Sequence, residues 1–108
     1  MAKRENLEHK VVWITGASSG IGKALAKACA LQGAQVILTA RRYEELEKVR
    51  MSLLNPERHL SVCADITNES QVLHAYEQVL ARKGRIDWLI NNAGLSQRAL
   101  IADTTMQT

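Results

Sequence analysis

The apolar residues of this chain fall into four short runs, at 11–15, 35–40, 60–64 and 88–90. The second run is β-branched and apolar on both faces, which is typical of a parallel strand covered by helices. The segments between the runs place apolar residues at helical spacing. Strands that alternate with helices in this way predict βαβ units and a parallel sheet.

Three segments between the strands have the period of amphipathic helices, at about 23–32, at 43–54, and from just after 67 or 68 to about 83. Thr67 or Asn68 is expected to cap the third helix, and a glycine follows the first and the third as a C-cap. The residues predicted to face the sheet are Leu25, Ala28, Cys29, Ala30, Leu46, Val49, Leu53, Leu54, Val72, Ala75, Tyr76, Val79 and Leu80.

We therefore predict one α/β domain over residues 1–108, a Rossmann-type parallel sheet flanked by helices that ends after the fourth strand. Right-handed crossovers favour the strand order 3-2-1-4. Residues 1–10 form a polar N-terminal extension without the apolar core of a signal peptide. Ligands bind such sheets at the carboxyl ends of the strands, near the switch between the first and fourth strands.

The seven residues directly after the first strand contain three glycines, Gly16, Gly20 and Gly22, and a helix follows them. Strand, glycine turn and helix in this order indicate a dinucleotide site. We expect one glycine to allow a tight turn, one to let a pyrophosphate approach the backbone, and one to let the helix pack close to the strand. The helix N-terminus offers free N–H groups to phosphate, and Ser18 and Ser19 offer hydroxyl donors.

The spacing Thr15-Gly16-x-x-x-Gly20-x-Gly22 resembles the cofactor motif of the short-chain dehydrogenase/reductase family. The block Asn91-Asn92-Ala93-Gly94 and its lead-in at 84–90 resemble the other N-terminal signature of that family. Either block alone also fits an ordinary turn, but the two together favour the family. The resemblance covers nearly all of the chain and only the first half of an ordinary family member. Ser96-Gln97-Arg98 resembles a subgroup related to dehydrogenase/reductase member 7, whose members are often membrane-anchored.

The resemblance implies a set of cofactor-binding residues and no metal ligand. Asn91 is expected near the cofactor ribose, Asn92 is expected to brace the fourth strand, and the two small residues that follow let the chain pass the nicotinamide. The implied cofactor-binding residues are Gly16, Ser18, Ser19, Gly20, Ile21, Gly22, Arg41, Arg42, Asp65, Ile66, Asn91, Ala93 and Gly94.

The end of the second strand favours NADP over NAD. By resemblance, Ala40 stands where NAD-dependent members carry an Asp, and Arg41 and Arg42 follow it. Guanidinium groups bind a 2′-phosphate through paired, charge-assisted hydrogen bonds. The alternative is that the arginine pair simply opens the next helix in solvent.

Asp65 follows the third strand, and two roles are open for it. The resemblance implies that its carboxylate binds the adenine amino group while Ile66 packs on the ring. The other interpretation is an N-cap of the helix that begins near Thr67.

The chemistry of the family requires a Tyr with a Lys four residues later, because the Lys lowers the pKa of the phenol for proton exchange. Tyr43 is followed at that spacing by Glu47, and Tyr76 by Leu80. We predict the NADP-binding portion of an oxidoreductase that transfers hydride between NADP(H) and a carbonyl or alcohol substrate, with no catalytic residue here and no turnover by this chain alone. The alternatives are a non-catalytic NADP(H)-binding module and a non-functional truncated product.

Composition and charge limit the binding partners and the cellular compartment that we expect for this chain. The net charge of +3 is spread along the chain, which disfavours a nucleic-acid surface, and no stretch is apolar and long enough to span a membrane. Cys29 and Cys63 lie far apart in apolar surroundings, which favours buried thiols in a reducing cytoplasm over a disulfide or metal site. The strand at 88–90 is expected to leave an apolar edge that promotes self-association.

Overall fold

The computed structural model describes residues 7–18 and 20–92 of the chain. These residues form four strands and three α-helices in the predicted alternation. The elements in chain order are β1 (Val11–Thr15), α1 (Gly20–Leu31), β2 (Gln35–Thr39), α2 (Tyr43–Met51), a 3-10 turn (Pro56–Arg58), β3 (Leu60–Ser61), α3 (Glu69–Lys83) and β4 (Trp88–Asn91).

The strands form one parallel sheet of order β3-β2-β1-β4, which confirms the predicted Rossmann-type arrangement. Thr15, the last residue of β1, lies beside Thr39 on β2 and beside Asn91 on β4. The carboxyl ends of these three strands therefore meet at one edge of the sheet. The glycine turn after β1 and the end of β4 become neighbours there, although they are far apart in the sequence.

The side chains of the central strands alternate between two buried layers, one on each face of the sheet. Val12 and Ile14 point into the layer that α1 and α2 cover. Trp13 points into the layer that α3 covers, where it meets Ala75 and Val79. Burial on both faces explains the continuous apolar runs at 11–14 in β1 and 36–38 in β2.

Three residues predicted to face the sheet are exposed to solvent. Ala28 lies on the outer side of α1, because the neighbouring Ala26, which the sequence interpretation missed, occupies the core. Leu54 is 52% exposed, since α2 ends at Met51 and the helical period does not extend to it. Tyr76 does face the sheet, where its ring stacks on Trp13, although its side chain is 39% exposed.

The third strand is shorter than predicted, with two paired residues. The chain nevertheless continues beside β2, because the N–H groups of Val62 and Ala64 donate to the carbonyls of Leu38 and Ala40 at 2.9 and 3.0 Å. The segment after β3 is therefore held in place up to Asp65.

His59 is a buried side chain that ties the start of β3 to β2. Its Nδ1 accepts a hydrogen bond from the N–H of Val36 at 3.0 Å, and its Nε2 lies 2.8 Å from the carbonyl of Leu54. Both contacts are satisfied only by a neutral ring with the proton on Nε2. Burial lowers the pKa of His59 below its ordinary value; the bond to Leu54 opposes this, and the positive charges of Arg58 and Lys83 add to it.

The helix ends follow the predicted capping. Gly33 and Gly84 follow α1 and α3 with φ of 96° and 81°, in the left-handed region. Asn68 caps α3 by accepting a hydrogen bond on its side chain from the N–H of Gln71 at 3.1 Å. Thr67, the other candidate, does not cap the helix.

Residues 7–10, the described part of the polar extension, pack against the amino edge of the sheet. The N–H of Leu7 donates to the carbonyl of Gln32 at 3.0 Å, and the N–H of Gln35 donates to the carbonyl of Lys10 at 2.9 Å. The Leu7 side chain packs on the layer of α1 and α2.

Candidate functional site

A cavity of about 750 Å³ lies at the carboxyl edge of the sheet, beside the glycine turn. The segments that follow β1, β2 and β3, together with the start of α2, form its walls. The lining residues are Gly16, Ser18, Ala40, Arg41, Arg42, Glu45, Ala64, Asp65, Ile66 and Thr67. Residues that were predicted to bind the cofactor, from three separate loops, therefore line one cavity.

The three glycines of the turn differ in their geometry. Gly16 and Gly20 have φ of 65° and 51°, which glycine adopts without strain. Nothing lies within 4 Å of the position that a Cβ on Gly20 would take, so its backbone is open to a ligand. A Cβ on Gly22 would collide with the carbonyl oxygen of Gly16 and lie 2.9 Å from Nδ2 of Asn92. Gly16 therefore turns the chain, Gly20 leaves space for a ligand, and Gly22 permits close packing of α1 against the turn.

Hydrogen bonds connect the glycine turn to the end of β4. The Thr15 hydroxyl donates to Oδ1 of Asn91 at 2.9 Å and accepts from the N–H of Asn92 at 3.1 Å. The Asn92 side chain donates to the carbonyl of Gly16 at 3.2 Å. The two sequence blocks therefore form one hydrogen-bonded unit, in which Asn92 holds the turn.

Arg41 and Arg42 follow β2 on the rim of the cavity, and both are exposed. Neither guanidinium group has a hydrogen bond or an ion pair to any residue in the described part of the chain. Arg42 is the N-cap of α2, without a capping hydrogen bond from its side chain. The arginine pair therefore does open a helix, and it also presents two uncommitted cations to the cavity.

The carboxylate of Asp65 is fixed by its neighbour. Its Oδ1 accepts from the N–H and the hydroxyl of Thr67 at 3.0 and 2.7 Å. These bonds lower the pKa of Asp65 below its usual value, and the positive charge of Arg41 adds to the effect. Asp65 is therefore ionised at neutral pH. Its interpretation as the N-cap of α3 is wrong, because Asn68 has that role.

The other predicted cofactor residues lie around the cavity or outside the described part. Ile21 is in the first turn of α1, with its side chain 64% exposed and outside the cavity lining. Asn91 ends β4 and also lies outside that lining. Ser19, Ala93 and Gly94 fall outside the described residues.

The sequence interpretation missed three lining residues, Glu45, Ala64 and Thr67. Glu45 lies in the first turn of α2, and only the fold shows that it faces the cavity. Ala64 and Thr67 flank a predicted pair of residues, and only the course of the loop shows that they face the cavity.

The two cysteines lie in different surroundings. Cys29 is buried as predicted, and burial raises the pKa of its thiol. Cys63 was expected to be buried too, but it is exposed, and its Sγ donates to the carbonyl of Arg41 at 3.0 Å. The difference arises because side chains alternate along the segment after β3. Val62 and Ala64 are buried in the layer that α3 covers, whereas Cys63 between them points the other way and is exposed.

A second cavity, of about 340 Å³ and largely apolar, lies on the α3 face of the sheet. Trp13 forms part of its wall; the indole N–H donates to the buried Thr39 hydroxyl at 2.8 Å, and the ring stacks on Tyr76 with centroids 6.4 Å apart. Tyr76 is the one ionisable side chain among the described residues that line this cavity. The cavity therefore offers an apolar surface and no acid–base pair.

Within residues 7–18 and 20–92, no helix has the length and apolar character needed to cross a bilayer.

A family model described as short chain dehydrogenase matches residues 10–108. Human dehydrogenase/reductase SDR family member 7 is 43% identical over 105 residues, which cover 93% of this chain and 31% of that protein. The chain spans about a third of the length of the curated relatives it matches.

Solved structures agree with this family match. The apo-form of glucose dehydrogenase from Caenorhabditis elegans has a TM-score of 0.78 and 36% identity, over 85% of this chain and 40% of that one. The 3-ketoacyl-(acyl-carrier-protein) reductase from Brucella melitensis, complexed with NADH, has a TM-score of 0.72 and 39% identity, over 78% and 34% of the two chains.

Proposed function

This chain belongs to the short chain dehydrogenase family, and from that premise we propose that residues 1–108 form the NADP-binding domain of an oxidoreductase that acts on a small carbonyl or alcohol substrate. The bound dinucleotide supplies the hydride chemistry. The residues of this chain hold and orient it. Gly16, Gly20 and the N-terminus of α1 face the pyrophosphate, while Asp65 and Ile66 hold the adenine.

The choice of NADP depends on one observation, the guanidinium groups of Arg41 and Arg42 beside the cavity, which have no hydrogen bond or ion pair to the described residues. An exposed, unpaired cation is free to bind a phosphate without breaking an existing ion pair. Ala40 places no carboxylate where it would bind the ribose hydroxyls of NAD. One solved relative carries NADH, so residues 40–42 of this chain, rather than family membership, support the choice.

A binding experiment with Arg41→Ala tests the proposal. Calorimetric titration of the wild-type chain should give tighter binding of NADPH than of NADH. Loss of a charge-assisted hydrogen-bonding group costs about 1.5–3 kcal/mol, so Arg41→Ala should weaken NADPH binding by about 10- to 100-fold and leave NADH binding nearly unchanged. Arg82→Ala, at the exposed far end of α3, is the matched control and should change neither.

Two results would contradict the proposal. One is equal affinity of the wild-type chain for NADPH and NADH, or no binding of either. The other is an Arg41→Ala variant that binds NADPH as tightly as the wild type does.

The 108-residue chain is proposed to bind the cofactor without turnover. Its two tyrosines, Tyr43 and Tyr76, are not followed by Lys at the spacing that would lower the pKa of a catalytic phenol. NADPH-dependent carbonyl reduction by the purified chain, abolished by Arg41→Ala, would contradict this.

We also propose a cytoplasmic location and self-association. The two cysteines are unpaired, which fits a reducing compartment. Trp88 on β4 is 49% exposed, and β4 pairs with β1 alone among the described strands. Sedimentation of the chain, with Trp88→Lys as the comparison, tests whether this edge joins two copies.

A further inference from the structure

Glu45 is the acidic residue on the α2 wall of the dinucleotide cavity, where it lines the same space as Arg41 and Arg42. It lies in the first turn of α2. Its side chain is 44% exposed, and its ion pair to Lys48 is loose, at 4.0 Å from Nζ. The negative charge of Glu45 is therefore only weakly compensated beside the two arginines.

The other acidic residues near the cavity are placed differently. Asp65 lies on the β3 side, and Thr67 engages its Oδ1 through two hydrogen bonds. Glu44, next to Glu45 in the chain, is exposed and does not line the cavity. Glu45 is thus the carboxylate that shares the α2 side of the cavity with Arg42.

We propose that Glu45 is a specificity-determining residue that limits the preference for NADPH over NADH; this rests on the nucleotide-binding function proposed above. A phosphate monoester carries about −1.5 to −2 charges at neutral pH. Arg41 and Arg42 attract a 2′-phosphate, whereas Glu45 repels it. NADH carries a neutral hydroxyl at that position, which the carboxylate of Glu45 does not repel. The cavity therefore contains two arginines that favour NADPH and one carboxylate that opposes them.

The test compares Glu45→Gln with Glu44→Gln, which removes the same charge from the same helical turn but away from the cavity. The dissociation constants of NADPH and NADH are measured by calorimetry for both variants and the wild-type chain. The repulsion between two exposed, partly screened charges leads us to expect that Glu45→Gln raises the NADPH/NADH selectivity about 3- to 10-fold. The gain should shrink in about 0.5 M salt, because salt screens exposed charges. Glu44→Gln should change the selectivity less than about twofold.

The outcomes separate this inference from the proposed function. A wild-type chain without NADPH binding overturns the proposed function. A wild-type chain that binds NADPH, with unchanged selectivity in Glu45→Gln, overturns only the role of Glu45. Equal effects of the two variants would indicate a long-range charge effect and also contradict that role. Glu45→Ala also removes the carboxylate and keeps a high helix propensity. It must raise the NADPH/NADH selectivity as Glu45→Gln does.

Discussion

Gly22 is the position where a single added methyl group should disturb both stability and cofactor binding. A Cβ there would collide with the carbonyl oxygen of Gly16 and lie 2.9 Å from Nδ2 of Asn92. Overpacking of this kind costs about 1–3 kcal/mol, and loss of the bond from Asn92 to Gly16 about 1 kcal/mol. Better helix propensity of Ala returns about 1 kcal/mol. Gly22→Ala should therefore lower the free energy of unfolding by about 1–3 kcal/mol.

The same substitution should weaken NADPH binding about tenfold or more, because the turn that carries Gly16 and Gly20 must shift. Urea denaturation and calorimetry measure the two effects. Ala28→Gly is the control: it lies on the exposed side of α1 and should cost about 1 kcal/mol of stability through propensity without changing NADPH affinity. A Gly22→Ala chain with wild-type stability and wild-type affinity would refute the packing argument.

Two further predictions concern buried polar groups. Burial lowers the pKa of His59 in the folded chain, so the unfolded chain binds a proton there more readily. The free energy of unfolding should therefore fall as the pH drops below about 6.5. Urea denaturation down to a pH of about 5.5 should show this drop, which should be smaller in His59→Gln and unchanged in His74→Gln. Thr39→Val leaves the buried Trp13 N–H without its acceptor and should cost about 1–3 kcal/mol in thermal denaturation. An equal loss in Thr39→Ser, which keeps the hydroxyl, would contradict the second.

The architecture was predictable because several local signals agreed. The apolar runs gave the strands, and Gly33 and Gly84 marked the helix ends, where both adopt positive φ. Right-handed crossovers then favoured the strand order 3-2-1-4 among few topologies, and the sheet has that order. The family resemblance implied that Gly16 and Asp65 belong to one site, and both line the same cavity.

The errors came from features that depend on tertiary contacts. Leu54 fits a helical period, but α2 stops before it. Cys63 fits a buried strand, yet it lies between the buried Val62 and Ala64 and points the other way, where it is exposed. Glu45 reads as an ordinary charge in the first turn of a helix, and its place on the cavity wall becomes visible only when β3 lies next to β2.

The most direct test of the account is to map where NADPH binds, by following the backbone amide resonances of the isotope-labelled chain during titration. The largest shifts with NADPH are expected at Gly16, Gly20, Arg41 and Asp65. With NADH, the shift at Arg41 should be smaller than with NADPH, and the shifts at the other three residues should be similar. Shifts confined to the apolar cavity around Trp13, or none at saturating NADPH, would contradict it.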